Sequence, residues 1–145
     1  MSDSDKATAD LRGAVALAHH FLRVTVRPGD LVVDATCGNG NDTLFLARLV
    51  GVEGRVWAFD LQREAMLKTS ALLDEHGCRD QVQLVSVGHE NLFNFVKESA
   101  RAVVFNLGFL PGGERGCITR SHTTVAALEQ AVELLLPGGI VTVAM

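Results

Sequence analysis

An acid, a pair of glycines and a second acid fall within nine residues near the start of this chain. They lie in Leu31-Val32-Val33-Asp34-Ala35-Thr36-Cys37-Gly38-Asn39-Gly40-Asn41-Asp42-Thr43. An apolar run meets a carboxylate, then a tight glycine turn, then residues suited to start a helix near Asn41. Gly38 and Gly40 let the backbone approach a ligand closely, and the free N–H groups of a helix start face whatever sits there. This suits a nucleotide-type ligand, and charge narrows the choice. A pyrophosphate cradle has a third glycine and no negative charge. Here Thr43 holds the third position, and Asp34 and Asp42 flank the loop. A carboxylate about 5 Å from a phosphate costs roughly 3 kcal/mol at an effective dielectric near 20. The same carboxylates favour a cationic amine. S-adenosylmethionine (SAM) carries an α-ammonium, a sulfonium, a ribose and an adenine, and no phosphate. The loop therefore reads as a SAM site ahead of a NAD site.

Further polar residues are spaced to complete such a site. Asp60 lies about 20 positions beyond Gly40, where an acid accepts both ribose hydroxyls. Its other role would be to cap the helix beginning near Gln62. Asp34 can accept loop N–H bonds as well as face the ligand. Asp42 sits in a first helical turn, which favours an acid whatever its function. Thr36, Asn39, Asn41, Thr43 and Gln62 are the remaining expected cofactor contacts near the two acids. Cys37 reads as a small loop residue. His89 and Glu90 fall where an adenine edge is read, and Glu90 equally suits a helix N-terminus. Asn106-Leu107-Gly108-Phe109-Leu110-Pro111-Gly112-Gly113 forms a second polar-glycine element. There Asn106 would hold an amine, and also touch the cofactor, while Phe109 would stack on a base. A plain turn with Phe109 tucked into the core is the alternative. Arg115, Arg120 and His122 could meet RNA phosphates or be solvated loop charges.

The elements that must position these residues follow from periodicity. Leu11, Val15, Ala18 and Leu22 mark an amphipathic helix over 7–23. Strands are predicted over 31–35, 55–60, 82–87, 102–106 and 140–144. Helices are predicted over 41–51, 62–76, 90–98 and 121–136, the last capped by Ser121 or a nearby Thr. Pro137-Gly138-Gly139 reads as the turn into strand five. Strands alternating with helices give an α/β, doubly wound parallel sheet, and continuous apolar strands fit a sheet covered on both faces. In such a sheet ligands bind at the carboxyl ends of the strands, where Asp34, Asp60, His89 and Asn106 fall.

At 145 residues and 48% hydrophobic, the chain suits one domain with a substantial core. A net charge of −4 leaves no global basic footprint, so RNA binding would need local basic patches. The acidic, polar start is unlike a signal or transit peptide, and no run is long enough to span a membrane. Cys37, Cys78 and Cys117 are few and scattered, as in a reduced cytoplasmic protein. His19 and His20, adjacent on a helix, point roughly 100° apart, so no metal site is expected.

With these residues in place, the chain resembles the class I SAM-dependent methyltransferases. DATCGNGNDT resembles their motif I, Phe59–Gln62 (FDLQ) their motif II, and LLLPGGIVTV their fifth strand and its turn. DATCGNGNDT together with FNLGFLPGG resembles, more narrowly, the small bacterial rRNA-methylase family. The resemblance implies a Rossmann-like fold and SAM as methyl donor. It also implies an RNA substrate, with some members methylating the aminomethyl group of a tRNA wobble uridine. By that likeness Asn106 to Phe109 stand where other N-methyltransferases carry Asn/Asp-Pro-Pro-aromatic, with Leu107 and Gly108 replacing the prolines. Relatives normally continue past strand five with two more strands. The expectation is therefore a fragment of a longer protein, or a homodimer in which a partner chain covers the edge of strand five. Methylation of a small amine or a protein, and SAM binding without catalysis, are the alternative functions.

Overall fold

Apolar runs of four to seven residues become interior parallel strands here because helices cover both of their faces. The computed structural model describes residues 13–107 and 117–144, with side chains in the second segment described from Thr123 onward. The helix α1 (Ala14–Thr25) leads to β1 (Leu31–Asp34), α2 (Asn41–Val50), β2 (Arg55–Phe59) and α3 (Arg63–Glu75). A 3-10 turn precedes β3 (Val82–Val85), and a second one, His89–Asn91, runs into the short α4 (Leu92–Phe95). Then come β4 (Ala100–Asn106), α5 (Cys117–Leu134) and β5 (Leu135–Ala144). The strands are parallel, in the order β3-β2-β1-β4-β5. The order reverses between β1 and β4, and a crevice at their carboxyl ends is the expected ligand position.

Alternation along the central strand divides the core. Val32 joins Leu22, Leu46, Val56 and Leu73 on one face, under α1, α2 and α3. Val33 joins Phe59, Leu92, Phe105 and Ala131 on the other, under α4 and α5. Successive side chains of a strand point to opposite faces, so this one strand anchors both layers.

The structure moves several predicted boundaries. Strand three ends at Val85, two residues early, and the helix predicted over 90–98 is a 3-10 turn followed by only four α-helical residues. Helix α5 starts at Cys117, so Ser121 lies inside it and is not its cap. Strand β5 starts at Leu135 and contains the Pro-Gly-Gly turn as an excursion. Leu135 pairs with Ala100, whereas Ile140 pairs with Ala102, so the intervening residues bulge out of register. Gly138 takes φ +81° there, and a Cβ on Gly139 would lie 2.7 Å from the Arg101 carbonyl. Proline is tolerated because β5 is an edge strand in this sheet. Among the described residues, no helix is long and apolar enough to cross a membrane.

Candidate active site

The loop after β1 is held by hydrogen bonds that its own sequence supplies. Asp34 is fully buried at the end of β1. Its Oδ1 accepts the Thr36 N–H at 3.1 Å, and its Oδ2 accepts the Thr43 hydroxyl at 2.6 Å. The carboxylate thus ties the loop's start to the first turn of α2. Cys37 N–H donates to the Phe59 carbonyl, docking the loop on the end of β2, and Gly40 N–H closes the turn onto the Cys37 carbonyl. Gly38 and Gly40 have φ of +57° and +89°, a region open to glycine at little cost. The close neighbour of Gly40 differs from the expected one. A Cβ there would meet Thr69 of α3, with Oγ1 at 2.7 Å and Cα at 3.0 Å. This glycine lets α2 and the loop pack against α3. The Thr69 hydroxyl also lies 2.9 Å from Cys37 Sγ. Burial first, then the charge of Asp34, pushes the Cys37 thiol up to about 12, so it stays protonated and serves packing.

The predicted site residues separate into an open rim and a buried network. On the rim, Asn39, Asn41 and Gln62 are exposed, while Gly38 and Asp60 are half-buried. Asp60 accepts the Gly38 N–H on Oδ2 and the Gln62 N–H on Oδ1, each at 2.8 Å. It therefore positions the glycine loop and also caps the turn into α3. A carboxylate offers about four acceptor directions, so two remain for a diol. Asn39 accepts the Asn41 N–H at 3.1 Å, shaping the start of α2.

The buried network holds Thr36, Asp42, Thr43 and Asn106, none more than 7% exposed. The two threonines were expected at the cofactor, but their hydroxyls bond within the protein. Thr43 serves Asp34, and Thr36 Oγ1 accepts the Asn106 backbone N–H at 2.6 Å. Asp42 Oδ2 accepts the Asn106 side-chain amide at 3.2 Å, and its Oδ1 lies 2.6 Å from His19 Nε2 on α1. Sequence reasoning weighed His19 only as half of a metal-ligating pair with His20, and set it aside because helical neighbours point roughly 100° apart. The better signal was that His19 shares a helical face with Val15, Ala18 and the buried Leu22.

His89 is buried against Phe105, with centroids 5.6 Å apart and an edge-on ring. Burial lowers its pKa, against the opposing pull of Glu90, a hydrogen bond that the ring donates to the Ala35 backbone, and Asp60, so the ring favours its neutral form. Glu90 folds its carboxylate over Gly88, and Gln130 of α5 donates to the Glu90 carbonyl at 2.6 Å. Phe109 and Arg115 lie outside the described residues, as do the side chains of Arg120 and His122. Among the described residues, no group of three His, Cys, Asp or Glu is placed to hold a metal.

Burial first, and then the charge of Asp42, raise the Asp34 carboxyl from 3.8 to about 7. The folded protein thus holds this proton more tightly than the unfolded chain does. The stabilisation is complete below about pH 3.8, is lost as pH rises through about 7, and changes no further well above it. Between pH 5 and 7 the loss amounts to roughly 2 kcal/mol. Urea titrations of the parent and of Asp34→Asn should diverge by this slope, with the variant flatter. Parallel curves would mean that Asp34 is already ionised in the fold at pH 5.

Comparison with known proteins agrees with this architecture. A family model described as "Putative rRNA methylase" matches residues 56–145. The chain is 42% identical over 139 residues to an Arabidopsis thaliana protein named "tRNA (mnm(5)s(2)U34)-methyltransferase, chloroplastic", covering 89% of this chain. It spans 51% of that relative, about half its length. A crystal structure of a "putative rRNA-methylase" from Clostridium thermocellum superposes with a TM-score of 0.84 at 46% identity, covering 90% of this chain and 70% of that one. A "putative methyltransferase" from Streptococcus mutans, in complex with S-adenosylhomocysteine (SAH), gives 0.79 at 38% identity, with the same coverage of each chain. A glycine loop braced by Asp34 and Asp60, a matching family model and these superpositions agree: the chain belongs to the rRNA-methylase family of Rossmann-like methyltransferases.

Proposed function

We propose that this protein is a SAM-dependent N-methyltransferase acting on RNA, and that its substrate is the aminomethyl group of a modified tRNA wobble uridine. The observation that carries the cofactor is Asp60. It holds the Gly38 loop in place and retains acceptor capacity at the open rim, where a ribose diol would lie. The rim fits SAM in charge as well, because Asp60 stands half-buried beside the glycine loop and no lysine or arginine pairs with it among the described contacts. When bound, SAM supplies an electrophilic methyl on a sulfonium. Gly38, Asn39, Asn41, Asp60 and Gln62 would hold it, with His89 and Glu90 at the adenine side. Asp34, Thr36 and Thr43 act behind the loop by fixing its shape. Asn106, at the end of β4, would orient the target amine, and Phe109 would stack on the base.

The tRNA substrate is supported by the likeness to the Arabidopsis tRNA methyltransferase, and the amine by the amide of Asn106 beside the buried Asp42. The setting we infer is the cytoplasm. Calorimetric titration with SAM, SAH and NADH tests the cofactor, and methyl transfer to tRNA bearing 5-aminomethyl-2-thiouridine tests the substrate. Binding of the two adenosyl ligands alone, followed by labelling of that tRNA, is the expected result. Preferential NADH binding would refute the cofactor assignment. Adenosyl binding with labelling only of small amines or protein would refute the substrate.

A further inference from the structure

An asparagine amide can meet a substrate with either of two opposite ends, and the surroundings of Asn106 leave only one of them. Asn106 closes β4 opposite Ala144 of β5, and its backbone N–H donates to Thr36 Oγ1 at 2.6 Å. The backbone is thereby pinned, but the terminal torsion of an asparagine is broad and nearly two-fold. Asp42 fixes it. Asn106 Nδ2 donates to Asp42 Oδ2 at 3.2 Å, and an ionised carboxylate can only accept, so the amide nitrogen and not its oxygen must face Asp42. Oδ1, on the opposite branch of the planar amide, is turned away from Asp42.

Asp42 is itself held by its other oxygen. His19 Nε2 lies 2.6 Å from Asp42 Oδ1, and the same acceptor-only chemistry puts the ring hydrogen on Nε2. Phe45, one turn beyond Asp42 on α2, stacks on the His19 ring with centroids 3.9 Å apart and planes 5° apart. Arg23, one turn beyond His19 on α1, places its guanidinium 5.1 Å from the Phe45 centroid. Residues three and four apart share a helix face, so each helix supplies two members of this clamp. The side chains of Asp42 and His19 are only 9% and 21% exposed, which limits competition from water.

We propose that Asp42, braced by His19, is a positioning residue that turns the carbonyl end of Asn106 toward the target amine. This role rests on the methyl transfer proposed above. The choice of end matters to the chemistry. A neutral amine attacks through its one lone pair. An amide nitrogen facing it would donate a hydrogen bond to that lone pair and mask it. An amide oxygen instead accepts one of the amine's hydrogens and leaves the lone pair free to align with the sulfonium methyl. Asn106 touches the substrate; Asp42 and His19 act through it.

Exchanging the two side chains tests this. In Asp42→Asn, the His19 Nε2–H draws the oxygen of the new amide, whose nitrogen then faces Asn106. Asn106 must now accept, which inverts it and aims its own nitrogen at the amine. Every hydrogen bond survives, so Tm should hold. Single-turnover transfer to tRNA bearing 5-aminomethyl-2-thiouridine, at saturating SAM, should nevertheless fall about 100-fold. Adding Asn106→Asp lets position 42 donate to a carboxylate whose second oxygen faces the amine, and should recover most of that loss. His19→Gln, which can still donate to Asp42, should stay closer to the parent rate than His19→Leu. Nuclear magnetic resonance of the free protein gives a readout without cofactor or substrate. Hydrogen exchange of the Asn106 side-chain amide, identified by its loss in Asn106→Asp, should be slow in the parent and faster in Asp42→Asn. A parental rate in Asp42→Asn would overturn the proposal, as would a folded double variant no faster than Asp42→Asn, or an Asn106 amide that exchanges freely in the parent. A parent whose amide is protected but which methylates no amine on RNA would refute the function proposed above, and with it the purpose assigned to Asp42.

Discussion

Replacing Asp60 by alanine is expected to weaken SAH binding by at least about 100-fold while leaving a folded protein. A hydrogen bond to a charged group contributes about 1.5–3 kcal/mol, and a ribose diol would place two on this carboxylate. Their combined loss corresponds to two or more decades in Kd, at about 1.4 kcal/mol per decade. Part of the effect would be indirect, because Asp60 also accepts the Gly38 and Gln62 N–H groups. Asp60→Asn separates the contributions. It keeps one acceptor oxygen for Gly38 but has neither the charge nor the second oxygen, and should fall between alanine and the parent. Calorimetry with SAH gives the affinities, and thermal melts show whether each variant is folded. A folded Asp60→Ala protein that binds SAH as the parent does would leave Asp60 as a cap for the turn into α3, the structural role its position also allows.

The elements bearing the glycine loop were legible because local signals agreed there. The apolar run Leu31–Val33, the glycine pair and the first helical turn at Asn41 each point to one strand–turn–helix unit, and α2 starts where that pattern places it. The Pro-Gly-Gly segment was harder, since its turn chemistry is local but the pairing of Leu135 with Ala100 is not. Distance along the chain also hid the buried network. Asp42 and Asn106 are 64 positions apart, and Asp42 and His19 are 23 apart. No spacing rule links residues that far apart; only the β1–β4 pairing and the packing of α1 against the sheet bring them together. The sequence shows an acid in a first helical turn, which the helix dipole already explains. That the same acid bridges a histidine and an amide becomes visible only in three dimensions.

Gly40→Ala should be the most damaging single-methyl change in the loop. Gly40 precedes α2 at φ +89°, where an L-residue costs roughly 1–2 kcal/mol. The added Cβ would also sit 2.7 Å from Thr69 Oγ1 and 3.0 Å from Thr69 Cα. The hydroxyl can rotate away, but the backbone of α3 cannot, so overpacking adds roughly 1–3 kcal/mol. For a chain of this size the sum would lower Tm by about 10 °C. The damage would reach beyond stability. Relieving the clash means separating α2 from α3, and α2 carries both Thr43, which holds Asp34, and Asp42, which meets Asn106 and His19. SAM affinity should therefore fall along with Tm. Adding Thr69→Ala supplies a control with a defined limit. It removes the Oγ1 contact but leaves Cα and Cβ, at 3.0 and 3.1 Å, and the positive φ, so it should restore only part of the lost Tm. Full rescue by Thr69→Ala would place the whole cost on one hydroxyl. No loss of Tm in Gly40→Ala would mean that α3 yields, and that this glycine is not what fixes the loop against it.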